Sequence, residues 1–314
     1  MGKKLERAAD LELEMPEPFD FSMTVAKPAG WYWSTPGEVF EDGTMWTGLY
    51  IAGRPVGLRL SPGGGTTVSA RAFAALTLEV EALEELRSTL ESGLGKDIDL
   101  EGFYRFAEGD PVLEMVVRDR YGMRIGRLDE LFGRVILAIL LQMAQMGRSG
   151  QMMQAVLELY GTRIRFDGRE VVLWPTPRRL SRVEESELRE KANLGYRAKR
   201  LSAAARHLVE RPVSMRELDA MDDEAAVARV MEIPGIGPYA AGIVLGRYAP
   251  IDAWSVIVMS ELLLGVTPDK PRQEIENINK VVSARWGKWS WMAFAYILND
   301  LENLQKFYRI TRLS

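Results

Sequence analysis

The chain has 314 residues, 47% apolar and 27% charged, with a formal charge of −4. That is an ordinary globular composition, long enough for two or three subdomains and without the positive field of a protein that coats nucleic acid. It contains no cysteine and one histidine, His207, which excludes disulfides, zinc–thiolate sites and cysteine-ligated iron–sulfur clusters and leaves little for a Ser-His-Asp triad.

Residues 1–112 read as an α+β region. Phe19, Phe21, Met23 and Val25 alternate, as do Trp46, Gly48 and Tyr50, and then Val56, Leu58 and Leu60; period two predicts strands of a small antiparallel sheet. Pro28-Ala-Gly, Glu41-Asp-Gly and Ser61-Pro-Gly-Gly-Gly supply the turns. Leu83, Leu86 and Leu90 have helical spacing, and Ser92-Gly-Leu-Gly ends that helix. The N-terminus is charged (Lys3, Lys4, Glu6, Arg7) and no run approaches a membrane span, so a soluble, cytoplasmic protein is expected.

From Pro111 the strand signal nearly disappears, and 113–314 is expected to be all-helical, in two subdomains. Leu128, Phe132, Val135, Ile136, Ile139, Leu140 and Met143 follow i, i+3, i+4, i+7 spacing, with Asp129 as an acid near the helix start. A second helix is predicted over Ser149–Tyr160, stopped by Gly161, and Trp174-Pro-Thr-Pro is a connector. Ser181 or Ser186 caps the next helix, Met215–Met221 suggests another, and Lys280–Gln305 reads as one or two more. Lys191–Arg211 holds six Lys/Arg and one Glu. Such a run is either a solvated helix face or, through Arg197, Lys199 and Arg200, a phosphate-contacting one.

The most informative stretch is Val230–Val258, in which a helix end meets a Pro-Gly-Ile-Gly-Pro turn, an apolar helix, and then Pro250-Ile-Asp-Ala-Trp. Gly235 and Gly237 permit a sharp hairpin and a close backbone approach. The helix that follows begins with unpaired N–H groups, which suits them to bind a phosphate. Asp252 is the only acid between Glu232 and Glu261. It has two readings: a helix N-cap, or a catalytic carboxylate carried beside nucleic acid.

These residues resemble a known family. Ile233-Pro-Gly-Ile-Gly-Pro-Tyr-Ala-Ala followed by Pro250-Ile-Asp is similar to the signature of the helix-hairpin-helix DNA glycosylases. Asn193-Leu-Gly-Tyr-Arg-Ala-Lys-Arg-Leu and Ala138-Ile-Leu-Leu-Gln-Met resemble two further segments of the 3-methyladenine and 8-oxoguanine branches. The resemblance covers about 128–299 well and the N-terminal third more loosely, where the 8-oxoguanine branch is the nearer likeness. It implies a repair enzyme, most like the 3-methyladenine type, that binds duplex DNA as a monomer and flips a damaged purine.

Residue by residue, the resemblance makes Asp252 the catalytic group, placed to stabilise an oxocarbenium-like sugar and to orient the attacking water. Gly235, Ile236, Gly237 and Tyr239 form the DNA-gripping hairpin, whose family counterpart often holds a monovalent cation on backbone carbonyls; no other cofactor or metal is implied. Tyr239 stands where bifunctional members carry the Schiff-base lysine, and no lysine occurs between Arg211 and Asp269, so hydrolysis without strand cleavage is expected. Tyr239, Trp254 and Trp291 are candidates for an aromatic base pocket, with Trp286 and Trp289 as alternatives to Trp291 or as core. Gln142 and Met143 are the candidate wedge that fills the gap left by a flipped nucleotide. An alkylated purine is already cationic and leaves without protonation, which fits a site with one carboxylate and no evident acid; His207 is read as structural. Left open are a glycosylase for hypoxanthine, uracil or an oxidised purine, and a non-catalytic binder of damaged DNA.

Overall fold

The computed structural model describes residues 2–26, 35–128, 130–144 and 146–308. Asp129 and the Pro28-Ala-Gly turn lie outside them. Strand β1 (Lys3–Lys4) leads into β2 (Glu6–Glu14), and β3 (Val39–Glu41), β4 (Thr44–Ile51), β5 (Arg54–Gly64) and β6 (Thr67–Ala74) follow. The last five form an antiparallel sheet in the order β2-β6-β5-β4-β3. Period-two alternation is the reason: Val56, Leu58 and Leu60 all point to one covered face with Leu13 and Val68. Helix α2 (Val80–Gly93) covers that face with Leu86 and Leu90.

The alternation at Phe19–Val25 does not make a strand. It makes α1 (Phe21–Ala26), because the Asp20 carboxylate accepts the Met23 N–H at 2.7 Å and caps the turn, and Phe21, Thr24 and Val25 are the buried residues. Two long chains of helices complete the molecule. First come α3 (Leu100–Ala107), α4 (Pro111–Asp119), α5 (Leu131–Leu141), α6 (Met146–Tyr160), α7 (Pro177–Leu180), α8 (Glu185–Glu190), α9 (Arg197–Glu210), α10 (Met215–Asp219), α11 (Asp223–Met231) and α12 (Pro238–Leu245). Then come α13 (Ala253–Leu264), α14 (Ile275–Trp286), α15 (Ser290–Asn299) and α16 (Leu301–Tyr308).

The expectation of an all-helical 113–314 needs correction. Strands β7 (Thr162–Phe166) and β8 (Arg169–Leu173) pair across the Asp167-Gly168 turn, and β7 adds β1 in parallel to make a second sheet. Thr162, Ile164, Val171 and Val172 are β-branched, and Ile164, Phe166, Val171 and Leu173 are buried with Leu5 and Phe73. Five-residue strands are too short to stand out in a helical background. Ser181 ends α7 and Ser186 lies inside α8; the caps are Thr176, whose hydroxyl accepts the Arg179 N–H, and Glu184.

The helices bury two separate cores. One holds the inner faces of α5, α6, α9, α11 and α12; the other joins α3 and α4 to α13, α14 and α15. The boundary expected at 112 therefore falls inside α4, and α3 and α4 pack with the C-terminal helices rather than on the sheet. Asp110 pins this arrangement, capping α4 while its carboxylate accepts hydrogen bonds from Arg285 and Trp286 of α14. The chain passes from the first core to the second between Leu245 and Ala249. Asp252 starts the helix immediately beyond that crossing.

Candidate active site

The hairpin owes its shape to a buried pair and a strained glycine. Ile233 and Ile236 are both buried, and the Ile236 N–H closes a tight turn on the Ile233 carbonyl at 3.0 Å. Gly235 between them has φ +90°, and a Cβ there would lie 2.9 Å from the Cβ of Arg200. Gly237 differs: its backbone is extended and open space lies where a side chain would point. Pro238 then occupies the first turn of α12, and no side chain caps that helix. Free helical N–H groups beside an unobstructed glycine suit a phosphate.

Arginines and an aromatic hold the other end of α12. Arg127 and Arg134 donate to the Ile243 and Val244 carbonyls, complementing the negative end of the helix. Tyr248 folds back along the helix, donating to the Pro238 carbonyl, and lies so close to Gly242 that a Cβ there would meet its ring at 2.7 Å.

Asp252 is both cap and candidate catalyst, and its two oxygens divide the work. Oδ1 accepts the Trp254 N–H at 3.1 Å, the Ser255 N–H at 2.8 Å and the Ser255 hydroxyl at 2.9 Å, completing a capping box. Oδ2 faces the Tyr239 hydroxyl at 3.4 Å. Burial, and then the neighbouring Asp252 charge, push the Tyr239 phenol well above its ordinary range. Tyr239 therefore stays a proton donor to the carboxylate and cannot act as a base. The capping box fixes the carboxylate rigidly, and Oδ2 is left directed at the aromatic wall.

The other predicted residues separate into groups. Trp254 is 43% exposed, and its backbone N–H donates to Asp252 Oδ1 as part of the α13 cap. Trp291 packs at the far end of α12, where a Cβ on Gly246 would be 3.2 Å from its ring, and against Phe294. Seven helical residues, roughly 10 Å, separate that end from Tyr239. Trp286 is core, and the Trp289 ring packs tilted against Phe103 with centroids 5.8 Å apart. His207 sits in the last turn of α9.

Gln142 and Met143 prove to have different surroundings. Gln142 ends α5, and its amide donates to the Gly235 carbonyl at 2.8 Å while accepting from Arg200. Its backbone carbonyl accepts from the Tyr196 hydroxyl at 3.1 Å and from Arg197. The next residue, Met143, takes φ +51° and is 76% exposed, which no last residue of a buried helix face would be. Arg197 and Arg200 lie 4.5 and 4.9 Å from the Tyr196 ring, so both are engaged in this junction. Arg197 is buried, and of the three basic residues singled out only Lys199 and Arg200 are exposed.

No protein-family model matches the chain. A DNA-3-methyladenine glycosylase of Bacillus subtilis strain 168 is 26% identical over 220 residues, 68% of this chain and 71% of that relative. A probable N-glycosylase/DNA lyase of Methanothermobacter thermautotrophicus is 25% identical over 201 residues, 56% of this chain and 64% of that relative. In fold, the 3-methyladenine DNA glycosylase of Archaeoglobus fulgidus superimposes with a TM-score of 0.75 at 20% identity, over 93% of this chain and 99% of its own. The 8-oxoguanine glycosylase/lyase of Clostridium acetobutylicum does so at 0.69 and 17%, over 95% and 99%. The chain is thus similar to DNA glycosylases both in sequence and in fold.

Its N-terminal sheet and helical body are those of that fold. No described helix is long and apolar enough to cross a membrane, and among the described residues no cluster of acidic, histidine or cysteine side chains is arranged to hold a metal ion. Two features of the candidate site escaped sequence reasoning. Ser255 completes the capping box, which an acid three residues before a serine would have signalled. The anchoring of Gln142 on the hairpin carries no local signal, because the two lie 93 residues apart.

Proposed function

We propose that the chain binds duplex DNA through the Gly235–Gly237 hairpin, flips out a damaged, alkylated purine, and hydrolyses its glycosidic bond to leave an abasic site. The observation that carries this reading is the division of the Asp252 carboxylate. Oδ1 is spent on the α13 cap and Oδ2 is turned to the Tyr239 hydroxyl. A negative oxygen held without reorganisation stabilises the cationic sugar as the base departs, and the same oxygen orients the water that replaces it. Tyr239 supplies one aromatic wall; a cationic purine gains attraction from its ring, and the phenol holds the carboxylate in place.

Hydrolysis without strand cleavage follows from Tyr239 as well, since a phenol cannot form the Schiff base that a lyase needs. Met143, exposed on a left-handed turn beside the hairpin, is the wedge, with Gln142 as its anchor. The exposed Lys199 and Arg200 serve the phosphates. The hairpin carbonyls of Ile233 and Gly235 each accept one hydrogen bond and keep a second lone pair. Neutral oxygens without a carboxylate suit a monovalent cation, which would add positive charge beside a phosphate.

The test is base release from methylated duplex DNA by wild type and Asp252→Asn, followed by mild alkali. Free 3-methyladenine or 7-methylguanine, with strand breaks appearing only after alkali, is expected. The variant should release base at least about a hundredfold more slowly, the scale of losing one preorganised electrostatic group. Strand cleavage before alkali would overturn hydrolysis alone. Release only from deaminated or oxidised duplexes would overturn the alkylated substrate.

A further inference from the structure

Beside Asp252 lies an apolar groove of about 510 Å³ that glycosidic hydrolysis does not use. Trp254 and Ile257 of α13 form one wall, and Lys270, Pro271 and Arg272 the other. Trp254 is 43% exposed, and its backbone N–H anchors its position in the chain to Asp252 Oδ1. Lys270 and Arg272 are exposed, and neither has an ion-pair partner among the described residues. An open indole flanked by two uncommitted cations has the chemistry of a subsite for a nucleotide whose stacking face has been uncovered: the base stacks on the ring and the phosphate meets the charges.

We infer that this groove receives the nucleotide next to the flipped one on the damaged strand, its base on Trp254 and its phosphate on Lys270 and Arg272. The inference rests on the reading that a nucleotide is flipped beside Asp252. The two aromatics have different surroundings: Tyr239 packs against the first core and is not part of the groove, whereas Trp254 lines it. Oδ2 faces Tyr239, so the flipped sugar and its base belong on that side. Trp254 lines the groove instead, and the strand continues into it away from the reacting nucleotide. Its assignment thus moves from the wall of the base pocket to a neighbouring subsite. The groove gives the hairpin a second grip on the same strand, on the far side of the reacting sugar, and makes rate depend on the neighbouring base through stacking rather than hydrogen bonding.

The test measures equilibrium binding of the whole chain to duplexes carrying a tetrahydrofuran abasic analogue, with flanking bases intact or with the 5′ or the 3′ neighbour also abasic. Wild type should lose roughly tenfold in affinity when one of the two neighbours is removed, the scale of one base stacked on an aromatic. Trp254→Ala should lose about as much on the intact duplex and nothing further when that neighbour is removed, while Trp254→Phe keeps the sensitivity. Lys270→Ala with Arg272→Ala should flatten the salt dependence by up to about two phosphate contacts. Indifference of wild type to both neighbours, or full sensitivity in Trp254→Ala, overturns the inference. A change in sedimentation confined to Trp254→Ala would assign the groove to a second copy of the chain instead. Because no base is released in this assay, failure of the alkylated-purine reading leaves it intact. Failure to prefer the analogue over undamaged duplex would show that the flipped-nucleotide reading itself is wrong.

Discussion

At the scale of single residues, Asp252 has a geometry that accommodates both readings its sequence left side by side. It is an N-cap, with three hydrogen bonds to Oδ1, and it presents a second oxygen to the aromatic wall. The two roles come apart by substitution. Asparagine caps a helix about as well as aspartate, whereas alanine removes the cap at a cost of about 1 kcal/mol. Asp252→Asn should therefore keep the wild-type midpoint in urea while losing base release, and Asp252→Ala should lose both. Equal destabilisation by the two variants would mean that the negative charge itself, and not the cap geometry, holds α13. Tyr239 supports the same division. Its phenol stays protonated beside the anion, so Tyr239→Phe removes a weak 3.4 Å contact and should slow base release severalfold without a change in pH profile.

At the scale of elements, helices were legible where apolar residues recur at helical spacing, on one face of α2 and all round α5, and strands where alternation met a turn, as in β4 and β5. The Phe19–Val25 segment defeated periodicity because Phe21 and Val25, four apart, also share a helix face that Thr24 completes, and the Asp20 cap decided between strand and helix. The β7–β8 hairpin was lost in its helical surroundings. The hairpin and Asp252 were readable because their chemistry is local, a left-handed glycine and a lone acid before an apolar helix. The anchoring of α5 on the hairpin was not, since it depends on packing of distant segments. That junction predicts a split in function. Gln142→Ala removes the bond to the Gly235 carbonyl and the acceptor for Arg200, so the Met143 turn and the hairpin lose their common register. Affinity for a tetrahydrofuran duplex should fall about tenfold with little change for undamaged duplex, because only the flipped complex needs wedge and hairpin engaged together. Equal losses on both duplexes would make Gln142 a general support of the hairpin.

At the scale of the whole molecule, the site lies where one core hands over to the other, so its geometry depends on both lobes keeping their shape. The second lobe is tied by buried phenols. The Tyr104 and Tyr296 hydroxyls meet at 2.9 Å, and the Tyr296 hydroxyl donates to the Met123 carbonyl. Burial raises both above the ordinary tyrosine value, and in the first lobe burial and then Glu187 push Tyr160 up to about 12. A phenol with a folded pKa above its unfolded value near 10 binds its proton more tightly in the folded state. Its stabilisation is complete below about pH 10 and is lost as pH rises toward the folded value, on the order of 2 kcal/mol for Tyr160 alone once fully titrated. Urea midpoints should therefore hold level through neutral pH and fall steeply between about pH 10 and 12. Tyr296→Phe should begin lower at neutral pH by about 1 kcal/mol, having lost a buried hydrogen bond, yet decline less on the alkaline side because the most deeply buried phenol no longer has to ionise. An alkaline slope identical to wild type would place the titrating groups outside the second core, and base release measured along the same series would show whether the active site opens before the lobes unfold.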